Sequence, residues 1–232
     1  MANKIGSKSW NNEMYEKHPT PYGGIAGFIQ HTRLQKIAAA MAKHQAISGD
    51  TIVEIGCEEG NLLKFLSEQH PDYRCIGLDI SSKALAAASN HLPTTTLLEE
   101  HDITSGPYPF KTPPAYLICS ETLEHIPDAA TAVENIYRST GQDTIVIITV
   151  PIEKHKNNIK KWLVRLGVFN LFFKGIEASL SEWHVQDFSK ADILGLLGKY
   201  YEILSYDTIW LMHQIIVAKV KSDRGSENRE TS

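Results

Sequence analysis

The stretch Thr51-Ile52-Val53-Glu54-Ile55-Gly56-Cys57-Glu58-Glu59-Gly60 decides the reading of this chain. Ile52, Val53 and Ile55 suit a parallel strand buried on both faces. Gly56 lets the backbone turn where a side chain would clash, and Gly60 opens an amphipathic helix whose free N–H groups can face a ligand. Strand, tight turn and helix in that order form a nucleotide-type pocket at the carboxyl end of the strand. An ordinary strand-to-helix turn without a ligand fits the same residues.

The glycine spacing separates nucleotide classes. A dinucleotide fingerprint, Gly-x-Gly-x-x-Gly, is absent, which makes an NAD-dependent oxidoreductase distant. Glu54-x-Gly56-x-x-x-Gly60 instead resembles the first motif of class I S-adenosylmethionine-dependent methyltransferases, acid-x-Gly-x-Gly-x-Gly, with Glu58 standing where that family usually has its middle glycine. Downstream, Arg74-Cys-Ile-Gly-Leu-Asp79 reads as a second strand ending in an acid, 19 positions past Gly60. That is the spacing at which a carboxylate meets ribose hydroxyls in a βαβ unit. The resemblance further implies that Asp102 faces the adenine amino group and Ile103 packs on the ring. With Cys57, Ile80 and Ser120 these residues form the expected cofactor-contacting set.

Working outward, Ser81 to His91 reads as a helix, Thr94 to Leu98 as a third strand and Ala115 to Ser120 as a fourth. A helix over about 129–139 and a strand from Thr144 to Val150 follow. Asp187 to Leu197 has helical spacing, and Tyr201 to Tyr206 with Leu211 to Val220 reads as a hairpin. The alternation predicts an α/β, Rossmann-like, doubly wound sheet of seven strands, mostly parallel, with its ligand at the strands' carboxyl ends. The final hairpin resembles the antiparallel pair that sets methyltransferases apart from dehydrogenases. The domain is expected over residues 31–220, after an N-terminal arm (1–30) and before a disordered tail (221–232) with nothing to bury.

Pro19, Pro21, Gly23 and Gly24 break regular structure in the arm, and a helix is expected from about 27 to 45 because Arg33, Leu34, Ile37, Ala38 and Met41 recur at helical spacing. In the resembling family such arms cover cofactor and substrate, which makes Tyr15, Tyr22, His31 and Arg33 candidates to reach in. Arg33 suits the cofactor's carboxylate, since a guanidinium pairs with it bidentately; exposed arm residues and a surface arginine are the alternative. A net charge of −4 over 232 residues gives no global attraction to nucleic acid. Cys57, Cys75 and Cys119 have neither CxxC nor zinc-finger spacing and read as core residues in a reducing compartment. No apolar leader or span of roughly 18 residues occurs, so a cytoplasmic protein is expected. The sequence sets no oligomeric state.

Two regions carry the remaining chemistry. From Lys154 to Lys174 there are six Lys or Arg and no Asp or Glu, with Ile159, Trp162, Leu163 and Leu166 at i, i+3, i+4 and i+7. Residues 152–180 are therefore expected as a basic amphipathic lid with weak affinity for anionic lipid, against the plainer reading of a helix packed on its own domain with a solvated basic face. Glu121, Glu124 and His125 leave the fourth strand at i, i+3, i+4 spacing, which on a helix points all three one way. With the later His184 they resemble the ubiquinone-pathway O-methyltransferases and the Hen1-type small-RNA methyltransferases, where these positions bind a divalent metal. That resemblance implies Mg²⁺, Mn²⁺ or Zn²⁺ on Glu121, Glu124, His125 and His184, chelating a hydroxylated small-molecule acceptor. In metal-free relatives Glu124 and His125 serve as turn and packing residues, and His184 is a general base or structural. Two other functions fit the same residues: a cofactor-binding module without turnover, and an RNA 2′-O-methyltransferase. The acidic net charge and the lack of an RNA-binding appendage weigh against the second.

Overall fold

The computed structural model describes residues 4–17, 24–152, 165 and 185–222. In chain order the elements are α1 (Lys8–Lys17), α2 (Gly24–Lys43), β1 (Thr51–Ile55), α3 (Asn61–Gln69), β2 (Arg74–Asp79), α4 (Ser82–Ala88), β3 (Leu97–Glu100) and β4 (Tyr116–Ser120). A 3-10 turn (Leu123–His125) follows, then α5 (Ala129–Arg138), β5 (Ile145–Pro151), α6 (Lys190–Leu197), β6 (Tyr201–Ile209) and β7 (His213–Val220). His184, Tyr22 and all of the basic stretch except Arg165 lie outside the described residues, as do residues 223–232.

The seven strands order as β3-β2-β1-β4-β5-β7-β6, parallel through β5 and antiparallel at β7 and β6. Chain direction across the sheet reverses at β1, which pairs with β2 on one side and β4 on the other, so the crevice above these strands is the topological switch point. Period-two alternation divides each strand between two cores. Val53, Ile55, Leu117 and Cys119 face α5 and α6, where Val133, Ile136, Ile193 and Leu197 are buried. Ile52, Ile118, Ile145 and Ile147 face α2 and α3, where Ile37, Met41, Leu63 and Leu66 are buried. Glu54 has the parity of Ile52, and so the turn-flanking acid points toward α2 and α3.

Three sequence expectations shift. The third strand is Leu97–Glu100 rather than 94–98, because Thr96 N–H closes a turn on Pro93 O (2.9 Å) and Ile76 pairs with Leu97. The segment after β4 is a single 3-10 turn, with Glu121 ahead of it at φ 54. The arm contains a ten-residue helix, α1. Its own sequence has no apolar stripe; side chains tie it to the domain. Ser81 Oγ donates to Asn12 Oδ1 (2.7 Å), Lys83 pairs with Glu16, and Lys8 pairs with Glu100 at 2.5 Å. Among the described residues no helix is long and apolar enough to cross a membrane.

Candidate active site

The turn between β1 and α3 is built from left-handed residues. Gly56, Glu58 and Gly60 have φ of 71°, 48° and 74°. Gly56 N–H donates to Leu78 O (2.7 Å), and a Cβ on Gly56 would stand 2.3 Å from Thr122 Cγ2, so the loops after β1 and β4 meet too closely for any side chain. The position where the family motif places its middle glycine is thus a left-handed one here, and Glu58 occupies it at a backbone cost of about 1 kcal/mol.

Asp79, at the end of β2, supports that turn. Its Oδ2 accepts from Glu58 N–H (2.8 Å) and its Oδ1 from Ser81 N–H (2.7 Å), while burial pushes its pKa upward against both bonds. Each carboxylate oxygen has a second lone pair, leaving room for ribose hydroxyls. Tyr15 of α1 donates to Glu59 Oε1 (2.5 Å), so α1 crosses the rim beside Asp79. His101 N–H donates to Asp79 O (2.9 Å), bringing the β3 loop to the same rim. There Asp102 caps its own turn, accepting from Thr104 N–H (2.8 Å), Thr104 Oγ1 (2.7 Å) and Ser105 Oγ (3.1 Å). Ile103 is buried in the α5-side core, while Ile80 is half-buried. Cys57 is buried, and burial, with Asp79 and Glu54 adding to it, raises its thiol pKa, so it packs rather than reacts. His31 lies edge-on to Phe65 of α3, with centroids 5.8 Å apart.

Glu54 is an incompletely satisfied acid beside the turn. It is 4% exposed, accepts from Leu63 N–H in the first turn of α3, and its Oε2 is buried with no hydrogen-bond partner among the described residues. Burial pushes its pKa well above the usual carboxylate value; the Arg33 charge opposes that rise. An orphaned carboxylate oxygen beside a glycine turn fits an ammonium group such as that of S-adenosylmethionine. Nearby, Arg33 Nε is also buried without a partner among the described residues.

Glu121 lies at the far side of the crevice. Its Oε2 is 3.5 Å from Arg33 Nη1 and 2.7 Å from His213 Nδ1, and its Oε1 accepts from Thr149 Oγ1 (3.1 Å). Thr149 Oγ1 also meets Ser120 Oγ at 2.9 Å. Arg33 therefore bridges the Glu54 and Glu121 sides. The i, i+3, i+4 argument presumed an α-helix, and the 3-10 turn does not deliver it. Glu124 is 1% exposed and adds to the rise that burial imposes on the Cys119 thiol pKa, with its backbone carbonyl accepting from Val185 and Gln186 N–H. His125 is half-buried. Among the described residues no group of three or more His, Cys, Asp or Glu is placed to hold a metal ion. Of the four expected ligands, Glu121 has a guanidinium already at its carboxylate, which is a poor fit to a second cation. His213 was not anticipated from sequence: a lone histidine opening a strand has no spacing signal, and only the β5–β7 register brings it to Glu121.

Sheet order, glycine turn and the acid after β2 define a class I S-adenosylmethionine-dependent methyltransferase. Residues 27–197 match the model of a family described as "Methyltransferase domain", and the chain belongs to that family. It is 28% identical over 120 residues to trans-aconitate 2-methyltransferase of Methylobacterium nodulans, covering 51% of this chain and 45% of that protein. It is 30% identical over 93 residues to the ubiquinone biosynthesis O-methyltransferase of Azoarcus sp., covering 39% of each. The matched region thus spans less than half the length of these curated relatives. The fold superposes on magnesium protoporphyrin IX methyltransferase of Synechocystis PCC 6803 with bound SAM at a TM-score of 0.64 and 14% identity, covering 95% of this chain and 100% of that one.

Proposed function

We propose that the chain binds S-adenosylmethionine above β1 and β2 and transfers its methyl group to an oxygen of a hydroxylated small molecule. The observation that carries the cofactor half is Glu54, a buried carboxylate with an orphaned Oε2 next to the left-handed glycine turn. In this reading Glu54 takes the ammonium, Arg33 Nε the carboxylate, Asp79 the ribose hydroxyls, and Asp102 with Ile103 the adenine. The sulfonium supplies an activated methyl, so the protein's task is to align the acceptor in line and manage one proton. Glu121 and its hydrogen-bonded neighbours, at the carboxyl end of β4, are the groups that support an oxygen acceptor.

The named relatives act on acceptors as different as trans-aconitate and a porphyrin, and so the acceptor class rests on the chemistry of this site. A metal-free transfer is favoured because Arg33 and His213 already engage Glu121. The metal-assisted alternative needs Glu121 to exchange that guanidinium for a divalent ion, with His184 completing the set.

Calorimetry with S-adenosylmethionine and S-adenosylhomocysteine tests the first half, and absence of binding by both refutes it. Tritiated methyl transfer to catechol, a polyprenyl-phenol and a sugar, with and without EDTA, tests the second. Transfer unchanged by EDTA is expected. Loss restored by Mg²⁺, Mn²⁺ or Zn²⁺ would establish the metal route, and binding without transfer to any acceptor would establish a silent cofactor-binding module.

A further inference from the structure

We propose that His213 receives the hydroxyl hydrogen of the methyl acceptor, with Glu121 holding its imidazole in the tautomer this requires; the proposal rests on the methyl-transfer reading above. His213 opens β7 opposite Pro151, the last residue of β5. An antiparallel strand thus delivers an imidazole to the rim where the parallel strands end. The residue is 5% exposed, and its Nδ1 lies 2.7 Å from Glu121 Oε2. A carboxylate only accepts, so the hydrogen of that bond sits on Nδ1, and the neutral ring is left with Nε2 as an acceptor. Arg33 at the same oxygen and Thr149 Oγ1 at the other fix the carboxylate from two sides.

The backbone indicates that the arrangement is maintained against strain. Glu121 has φ 54, an uncommon conformation for this residue type, and its N–H is tied to Thr149 O (3.0 Å). An ordinary turn would not need a glutamate there.

In the step itself the acceptor oxygen forms a bond to the methyl carbon as the sulfur–methyl bond breaks. The bonding pair stays on sulfur, giving S-adenosylhomocysteine. The hydroxyl proton passes to His213 Nε2 and from there to solvent, so atoms and charge balance without a further reactant.

Nitrogen NMR on ¹⁵N-histidine-labelled protein bound to S-adenosylhomocysteine tests this, with catechol, 4-hydroxybenzoate and glucose as hydroxyl probes. The Nδ1-protonated tautomer is expected for His213, and at least one probe should move its Nε2 resonance. In His213→Asn the amide stands at the Nδ1 position and retains the tie to Glu121 but lacks the distal nitrogen. That variant should keep S-adenosylhomocysteine affinity within about twofold and bind the responsive probe on the order of tenfold more weakly. A merely structural histidine would be rescued by asparagine. A proton on Nε2, no shift with any of the three probes, or full probe affinity in His213→Asn overturns the proposal. Failure of the parent to bind S-adenosylhomocysteine instead overturns the methyl-transfer reading beneath it.

Discussion

Replacing Glu54 by glutamine separates the cost of a buried charge from its use. The carboxyl is 4% exposed, one oxygen has no partner among the described residues, and burial drives its pKa well above the ordinary value. An unsatisfied buried acceptor costs about 1–3 kcal/mol, and part of that is recovered when the charge is removed without changing shape. A gain of ~1–2 kcal/mol in the ligand-free protein corresponds to a rise in Tm of about 2–8 °C at this chain length. Binding moves the other way. Losing a charge-assisted contact to the cofactor's ammonium forfeits roughly 1.5–3 kcal/mol, or about 10- to 150-fold in Kd. The pH dependence follows from the direction of the shift. Because the folded-state pKa is raised, the folded protein holds this proton more tightly than the unfolded chain. The associated stability is full below the unfolded value and is lost as pH rises through the folded one. The Tm advantage of Glu54→Gln over the parent should therefore widen from about pH 5 upward. Thermal melts across pH and calorimetry with S-adenosylmethionine provide both readings. A variant that melts below the parent, or that binds the cofactor as tightly, would refute the reasoning.

Glu58→Gly relieves a φ of 48° and removes an acid near Glu54, so S-adenosylmethionine should bind more tightly, while the backbone gain of about 1 kcal/mol is partly offset by the freer unfolded chain; unchanged affinity by calorimetry would count against the strain argument. Asp79→Ala strips the acceptor from Glu58 and Ser81 N–H, and should weaken S-adenosylhomocysteine binding by at least about tenfold and lower the denaturant midpoint; parental binding would remove Asp79 from the site. Replacing Lys160, Lys161 and Arg165 with alanine should abolish an excess of sedimentation with anionic over neutral vesicles, each cation contributing about 1 kcal/mol near the surface. Equal recovery of the parent on both would end the lipid proposal.

The central strands were legible because β1, β4 and β5 lie in a parallel sheet covered on both faces, and their near-continuous apolar runs have few other readings. The strand β3 was displaced in the reading because it is an edge strand with exposed ends, so Thr94–Leu98 and Leu97–Glu100 are about equally plausible by composition. The helix α1 escaped because its stability comes from Ser81, Lys83, Glu100 and Glu59, none of which its own residues announce. The glycine turn and its supporting acid were readable because local spacing carries their geometry, as with Gly56, Gly60 and Asp79. The pairing of Glu121 with a histidine was not. Glu121 and His213 are 92 positions apart, and their contact depends on an antiparallel register beside a left-handed residue.

The attachment of α1 sets a condition on traffic through the site. Its ties end on the glycine turn, on the start of α4 and on the end of β3, the three places that surround the nucleoside in the proposed binding of S-adenosylmethionine. Two of the ties are exposed ion pairs, each worth about 0–1 kcal/mol and weakened by salt. The other two, Tyr15 to Glu59 and Ser81 to Asn12, are part-buried hydrogen bonds, so salt weakens only part of the fastening. If S-adenosylmethionine binds as proposed, α1 would have to loosen for the spent cofactor to leave, and the interval between turnovers would then respond to ionic strength even where the transfer step does not.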